Sequence, residues 1–144
     1  MKTWTATATA EAHPAAVLDI LTDPDACARW APVPFDVEEE CGRLVPGSRA
    51  RVSGRLAGRR VGFDVEVHEA DERGLALTAR GPVGFDVAYE LAATNAGSEV
   101  RASVSVRPSR GIAGRLLAEA TGALLATGAL QHAVTRIVRE AALA

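Results

Sequence analysis

Aromatic side chains are scarce in this sequence. They make up 4% of its 144 residues, although hydrophobic residues of all kinds make up 48%. The core of the protein must therefore consist mainly of alanine, valine and leucine. A chain of this length fits one domain over residues 1–144, and such a domain buries about 68–70% of the surface that its unfolded chain exposes. The sequence thus predicts a single domain with an aliphatic core.

The sequence also lacks cysteine motifs, a large excess of charge of one sign and long apolar runs. The spacing of Cys27 and Cys41 indicates neither a disulfide framework nor a thiol redox motif. A formal net charge of -2 offers no electrostatic basis for binding nucleic acid. No apolar run is long enough to span a bilayer, and the N-terminus has no apolar signal core. We therefore expect no nucleic-acid partner, no membrane insertion and a cytoplasmic location, and the Ala- and Arg-rich composition is typical of a GC-rich bacterial source.

Motifs of several enzyme and metalloprotein classes do not occur. The sequence contains no GxSxG, GxxxxGK(S/T) or GxGxxG string, which leaves serine hydrolase, P-loop and dinucleotide-binding functions without support. His13, His68 and His132 have no second histidine or carboxylate at metal-ligand spacing. We therefore expect neither a metal nor a cofactor.

Apolar and polar residues alternate with a period of two along much of the chain, which predicts strands with one buried face. Short turns near residues 58, 71–74, 81–82 and 95–98 separate consecutive strands, so the strands should form an antiparallel meander. The string VGFDV occurs at residues 61–65 and 83–87, and two strands of one curved sheet explain it better than a tandem repeat.

The polar face of these strands carries four carboxylates. They are Asp64, Glu66, Asp86 and Glu90. We expect a solvated surface here rather than a catalytic pair, although a β-bulge would turn them inward.

Helices are predicted near both ends of the chain. Pro14 suits the first turn of one short helix, since its missing N–H would have no partner there. Asp23 ends that helix and can cap a second short one that runs to Trp30. From Ile112 to Ala142 an amphipathic pattern of about thirty residues without proline predicts one uninterrupted long helix. This helix needs an apolar surface, and the sheet is the only one available.

The order of these elements resembles that of the START-like or SRPBCC superfamily, which includes polyketide cyclase/dehydrase relatives. The resembling segments are His13–Val17, Leu21–Pro24, Arg29–Trp30, Leu44–Ser48, Glu66–Val67 and Tyr89–Leu91. The resemblance covers essentially the whole chain and implies the helix-grip fold of the α+β class. In this fold a seven-stranded curved antiparallel sheet, two short helices and a long C-terminal helix enclose an apolar pocket. The pocket usually holds an apolar ligand, and only some members are enzymes.

Two glycines of the C-terminal pattern bear on the pocket. Gly122 and Gly128 each cost about 1 kcal/mol relative to alanine in a helix interior. Open space beside the helix would explain them, and so would closer packing of the helix on the sheet.

A few polar groups could select the ligand. Tyr89 would bring a hydroxyl into an apolar interior, where an unpaired polar group costs about 1–3 kcal/mol. Thr127 and Gln131, one turn apart on the inner side of the long helix, could be its partners. The candidate ligand-binding residues are Trp30, Phe35, Phe63, Phe85, Tyr89, Leu117, Leu124, Thr127 and Gln131.

Three functions are compatible with this sequence. The leading hypothesis is noncatalytic binding or carrying of a hydrophobic small molecule, such as a lipid-like or polyketide metabolite. The alternative is an enzyme resembling polyketide cyclases, with Tyr89 as proton donor and Gln131 orienting the substrate. A protein-interaction module is the third possibility. The oligomeric state is not predicted.

Overall fold

The computed structural model describes residues 2–23, 26, 35–37, 44–56, 59–107 and 111–143. These residues form seven strands and three helices. Their order is β1 (Lys2–Ala10), α1 (Pro14–Thr22), β2 (Phe35–Val37), β3 (Arg49–Leu56), β4 (Arg59–Asp71), β5 (Gly74–Arg80), β6 (Gly84–Thr94), β7 (Gly97–Arg107), α2 (Ile112–Ala126) and α3 (Ala129–Leu143). Ala26 is helical, but the rest of the second short helix predicted up to Trp30 lies outside the described residues. No helix in the described ranges is long and apolar enough to cross a membrane.

All seven strands belong to one antiparallel sheet with the order β1-β7-β6-β5-β4-β3-β2. The strands from β2 to β7 follow one another as the predicted meander. The first strand returns to the far edge, where Trp4 lies opposite Val104 and Ala6 opposite Ala102. This arrangement confirms the curved antiparallel sheet and the α+β class.

A β-bulge interrupts β4. Val67 pairs with Leu77 and Glu69 pairs with Ala76, so His68 is the additional residue. A bulge bends its strand and increases the local twist, which helps a sheet to curve. Because the bulge follows Glu66 in the chain, it leaves the earlier part of β4 in register and its carboxylates on the outer face.

The core lies between the inner face of the sheet and the helices. The side chains of Val17, Leu21, Val134 and Ile137 have no solvent exposure. They come from α1 and α3, which contact each other, while α3 also lies against β1. Asp23 ends α1 as predicted.

Residues 112–143 form two helices, α2 and α3, so the prediction of one uninterrupted helix from Ile112 to Ala142 was wrong. Gly128 has a φ of +92°, in the left-handed region that glycine adopts without a Cβ penalty. Just before it, Thr127 Oγ1 donates a hydrogen bond to the Leu124 carbonyl oxygen at 2.6 Å. Gly128 therefore stands at the break because of its backbone conformation.

Candidate ligand-binding site

The inner face of the sheet presents continuous rows of apolar side chains, because strand alternation places them opposite one another. One row consists of Val67, Leu77, Val87, Val104 and Trp4. The next row consists of Val65, Ala79, Phe85 and Val106. These rows run across β4, β5, β6 and β7, at the centre of the sheet.

The two halves of this inner face differ in burial. Near the β4–β5 turn, Leu75, Leu91 and Val100 are at most 8% exposed, since α1 packs across β4 to β7 there. In the other half, Val67, Val104 and Val106 are also buried, but six apolar residues on the same face are only partly buried. They are Val52, Val65, Leu77, Ala79, Phe85 and Val87. Solvent therefore reaches the inner face in this second half, which we call the accessible half.

Helix α2 spans the accessible half. It contacts β1 and β7 near one edge of the sheet and β3 near the other. Gly122 lies against the Trp4 indole, because a Cβ atom added there would be 3.4 Å from a ring carbon. Leu117 is 6% exposed and Leu124 is partly buried. The helix that faces the accessible half therefore carries leucines on its sheet side.

Two aromatic rings meet at this end of the inner face. The ring centroids of Phe63 and Phe85 are 5.5 Å apart and their planes are tilted by 47°, a separation typical of favourable aromatic pairs. Phe63 is 7% exposed, whereas Phe85 is only partly buried. Gly81 lies so close to the Phe63 ring that a Cβ atom would be 2.8 Å from Cδ1. Such a Cβ atom would also be 2.7 Å from the Gly62 carbonyl oxygen, so the turn before β6 needs a glycine.

Tyr89 lies opposite Leu75, in the half near the β4–β5 turn, which we call the closed half. Its side chain is 2% exposed, on the same face as Leu75 and Ala102, which are its cross-strand neighbours. Tyr89 already has a noncovalent partner within the chain. The inner-face position predicted for Tyr89 from strand alternation agrees with the structure.

Thr127 and Gln131 do not converge with Tyr89 on the inner side of one helix, and that expectation was wrong. Both side chains are exposed. Gln131 Nε2 instead donates a hydrogen bond to the Thr7 carbonyl oxygen at 3.1 Å. Thr127 caps the end of α2. The helical phase is lost at Gly128, so a face extrapolated across that break puts Gln131 on the wrong side.

Two predicted contacts cannot be placed. Trp30 lies outside the described residues. Phe35 belongs to β2, opposite Gly54, and its side chain lies outside the described part of the structure.

The outer face carries the carboxylates of both VGFDV strings, each paired with an arginine. Arg51 Nη1 donates to Asp64 Oδ1 at 2.9 Å. Arg107 donates to both oxygens of Asp86, from Nε at 2.8 Å and from Nη2 at 2.7 Å. A Cβ atom at Gly62 would be 2.6 Å from Arg51 Nη2. Each string therefore places a phenylalanine inside and an aspartate outside, and the first string's glycine leaves room for its arginine.

A chain of hydrogen bonds extends from Asp86. Thr78, which is 4% exposed, donates to Asp86 Oδ1 at 3.0 Å, and its own oxygen lies 2.8 Å from His68 Nε2. Because the Thr78 hydroxyl donates its only hydrogen to Asp86, it accepts in its bond with His68, and His68 Nε2 is the donor. The hydrogen bonds from Arg107, followed by that from Thr78, lower the pKa of Asp86. Arg80 likewise lowers the pKa of Glu66 through a hydrogen bond.

An open concavity of about 340 Å³ lies over this charged face. It is lined by Arg49, Ala50, Arg51, Asp64, Val65, Glu66 and Arg80. Two of the arginines form ion pairs with the two carboxylates, at 2.9 and 3.1 Å. This is the solvated polar face that strand alternation predicts. Among the described residues, no three histidine, cysteine or carboxylate side chains form a group that could hold a metal ion.

Comparisons with known proteins agree with this architecture. The model of a family described as polyketide cyclase / dehydrase and lipid transport matches residues 1–142. Protein CV1439 from Chromobacterium violaceum is 17% identical, with 99% of each chain covered and a TM-score of 0.74. Protein TTHA0849 from Thermus thermophilus is 17% identical over 99% of this chain and 97% of that chain, with a TM-score of 0.73.

A third solved structure, protein BH1534 from Bacillus halodurans, is 12% identical over 96% of each chain, with a TM-score of 0.70. No curated protein sequence matches the chain. The structural matches establish a shared fold, and the family model covers nearly the whole sequence. The chain therefore belongs to the polyketide cyclase/dehydrase and lipid transport family of the START-like superfamily.

Proposed function

We propose that this protein binds and carries a hydrophobic small molecule between α2 and the accessible half of the inner face. The observation that carries the proposal is the partial exposure of Leu77, Ala79, Phe85 and Val87. These residues lie on the inner face of β5 and β6, in the middle of a seven-stranded sheet. A fully packed core would bury them, as it buries Leu75 one row away.

The lining suits an apolar ligand. Removing apolar surface from water yields about 25 cal/mol per Å², so aliphatic and aromatic walls favour a compound with little polar surface. Phe85 offers a ring on which an aromatic ligand would stack, and Leu77 and Val87 offer aliphatic contact. Leu117 and Leu124 of α2 would form the opposite wall. The family description, which joins polyketide chemistry with lipid transport, supports this class of ligand.

A few further residues complete the proposed site. Phe63 would support Phe85 from behind through the ring contact. Tyr89 would limit the depth of the site at its closed end. Trp30 and Phe35 stay proposed contacts at the rim.

Native mass spectrometry tests the proposal. The purified chain is measured under native and denaturing conditions, before and after incubation with palmitic acid or, separately, with anthraquinone. A native mass excess of one ligand per chain, which is lost on denaturation, is the expected result, and the two incubations distinguish a lipid-like from an aromatic preference. A bare mass under every condition would refute the proposal. A variant with the accessible half filled, Ala79→Phe, is the control for binding elsewhere.

A further inference from the structure

The outward face of α2 exposes large apolar side chains. Ile112 is 79% exposed and Leu116 is 58% exposed. They continue into a stripe of exposed residues on the same helical face. This stripe, called here the α2 stripe, consists of Ile112, Arg115, Leu116, Glu119, Ala123 and Ala126. Its positions 112, 116, 119, 123 and 126 alternate in steps of four and three, the spacing at which one helix packs along another.

Arg115 and Glu119 are the charged residues of α2. Both are exposed, and neither forms an ion pair with another described residue. Within one helix, an acidic residue four positions before a basic one is the favourable order, and here the order is reversed. The two charges are therefore better suited to partners outside their own helix.

We propose that the α2 stripe is the interface between two copies of this chain, packed antiparallel about a twofold axis. In this register Arg115 of each copy faces Glu119 of the other, so the stripe is complementary in charge to itself. Ile112 then comes within one position of Ala123 of the second copy, so a large side chain lies near a small one. A register centred on Glu119 would instead bring two like charges together. A twofold interface of this kind uses the same patch on both copies.

The balance of charge favours a second copy over a membrane. Docking on an anionic bilayer surface requires an excess of lysine and arginine on the helix. The α2 stripe carries one charge of each sign. It also leaves the sheet side of α2 available to a ligand, so this association does not depend on the proposed function.

The interface should be small. A helix of 15 residues is about 22 Å long, at 1.5 Å per residue. One helix pair of this length buries less than the roughly 1,200 Å² at which standard stable interfaces begin. The dimer should therefore form reversibly and depend on protein concentration.

Sedimentation velocity over a concentration series from about 1 μM to about 1 mM tests the proposal. The wild type should move from monomer to dimer across this range. Leu116→Gln should keep the chain monomeric. Arg115→Glu and Glu119→Arg should each weaken dimerisation about tenfold, because two like-charge contacts arise in every dimer. The double variant R115E/E119R should restore the wild-type constant.

Arg139→Glu, an equal charge change at an exposed position of α3, is the control and should not alter dimerisation. Circular dichroism should be unchanged in every variant, because all the substituted side chains are exposed. A wild type that stays monomeric throughout the series would overturn the proposal, as would a double variant no better than the single ones. A monomer that cosediments with phosphatidylglycerol vesicles through Leu116 would assign the stripe to a lipid surface instead.

Discussion

Phe63 of β4 and Phe85 of β6 bring their ring centroids to 5.5 Å across the intervening strand β5. Both belong to copies of the same five-residue string, and in both copies the following aspartate lies on the outer face, paired with an arginine. One short sequence thus supplies an aromatic residue to the inner face and an anchored carboxylate to the outer face. The two copies lie on two strands of one sheet, as expected from the sequence, and β5 separates them.

Filling the accessible half should be tolerated by the fold. Ala79 lies between Val65 and Phe85 and is only partly buried. Ala79→Phe should therefore change the free energy of unfolding by less than about 1 kcal/mol, since overpacking costs about 1–3 kcal/mol only where a core is already full. Ala102→Phe provides the matched control, because Ala102 has no exposure and lies on the same face. In urea unfolding, only Ala102→Phe should lower the free energy of unfolding by this amount. An equal loss in Ala79→Phe would mean that the accessible half is already packed.

The two glycines of the C-terminal pattern should respond oppositely to alanine. Gly128→Ala should lower the free energy of unfolding by about 1 kcal/mol, because a left-handed φ of +92° strains a residue with a Cβ atom. Gly122→Ala should raise it by about 0.5–1 kcal/mol, since Gly122 is inside α2 and its added methyl meets the Trp4 ring at ordinary contact distance. Thermal unfolding of both variants measures these changes in stability. A Gly128→Ala variant more stable than the wild type would indicate one continuous helix.

The ion pair of Asp86 should make stability depend on pH. Hydrogen bonds from Arg107 depress the pKa of Asp86 in the folded protein, whereas an unfolded aspartate titrates near about 3.9. This contribution is therefore present above that pH and is lost as the pH falls through the folded pKa. Asp86→Asn should cost less than about 1 kcal/mol at pH 7, because 37% of the side chain is exposed.

The difference in the free energy of unfolding between wild type and Asp86→Asn should shrink as the pH is lowered below about 4. Denaturant unfolding between pH 7 and pH 3 measures it. Asp64→Asn is the comparison, and it should cost less at pH 7 because the Asp64 side chain is 71% exposed and accepts one hydrogen bond from Arg51. A difference for Asp86→Asn that grows on acidification would contradict the assignment.

Gln131 should matter for docking α3 on β1 rather than for the ligand. Gln131→Ala removes the hydrogen bond to the Thr7 carbonyl and should cost about 0.5–1.5 kcal/mol. Ligand affinity should stay at the wild-type value, because the side chain is exposed and hydrogen-bonded to the edge strand β1. Isothermal titration with the ligand found by mass spectrometry measures the affinity. A loss of affinity in a fully folded variant would mean that Gln131 contacts the ligand.

The strands of this fold were predictable because each one carries its own signal. Period-two alternation is local, so it correctly placed Phe63, Phe85 and Tyr89 on one face. The break at Gly128 was missed, since the apolar spacing continues on either side of it and a left-handed φ leaves no trace in that spacing. The sequence also does not predict that Leu75 is buried while Leu77 is only partly buried. This difference arises because α1 packs over one half of the sheet and not the other, which depends on tertiary contacts.

The binding of an uncharged apolar fluorophore, N-phenyl-1-naphthylamine, tests the central claim most directly. Fluorescence titration of the wild type should saturate at one molecule per chain. Ala79→Phe, which fills the accessible half while keeping it apolar, should weaken that binding at least about tenfold. A folded wild type without saturable binding, or an Ala79→Phe variant that binds equally well, would contradict a ligand site between α2 and the sheet.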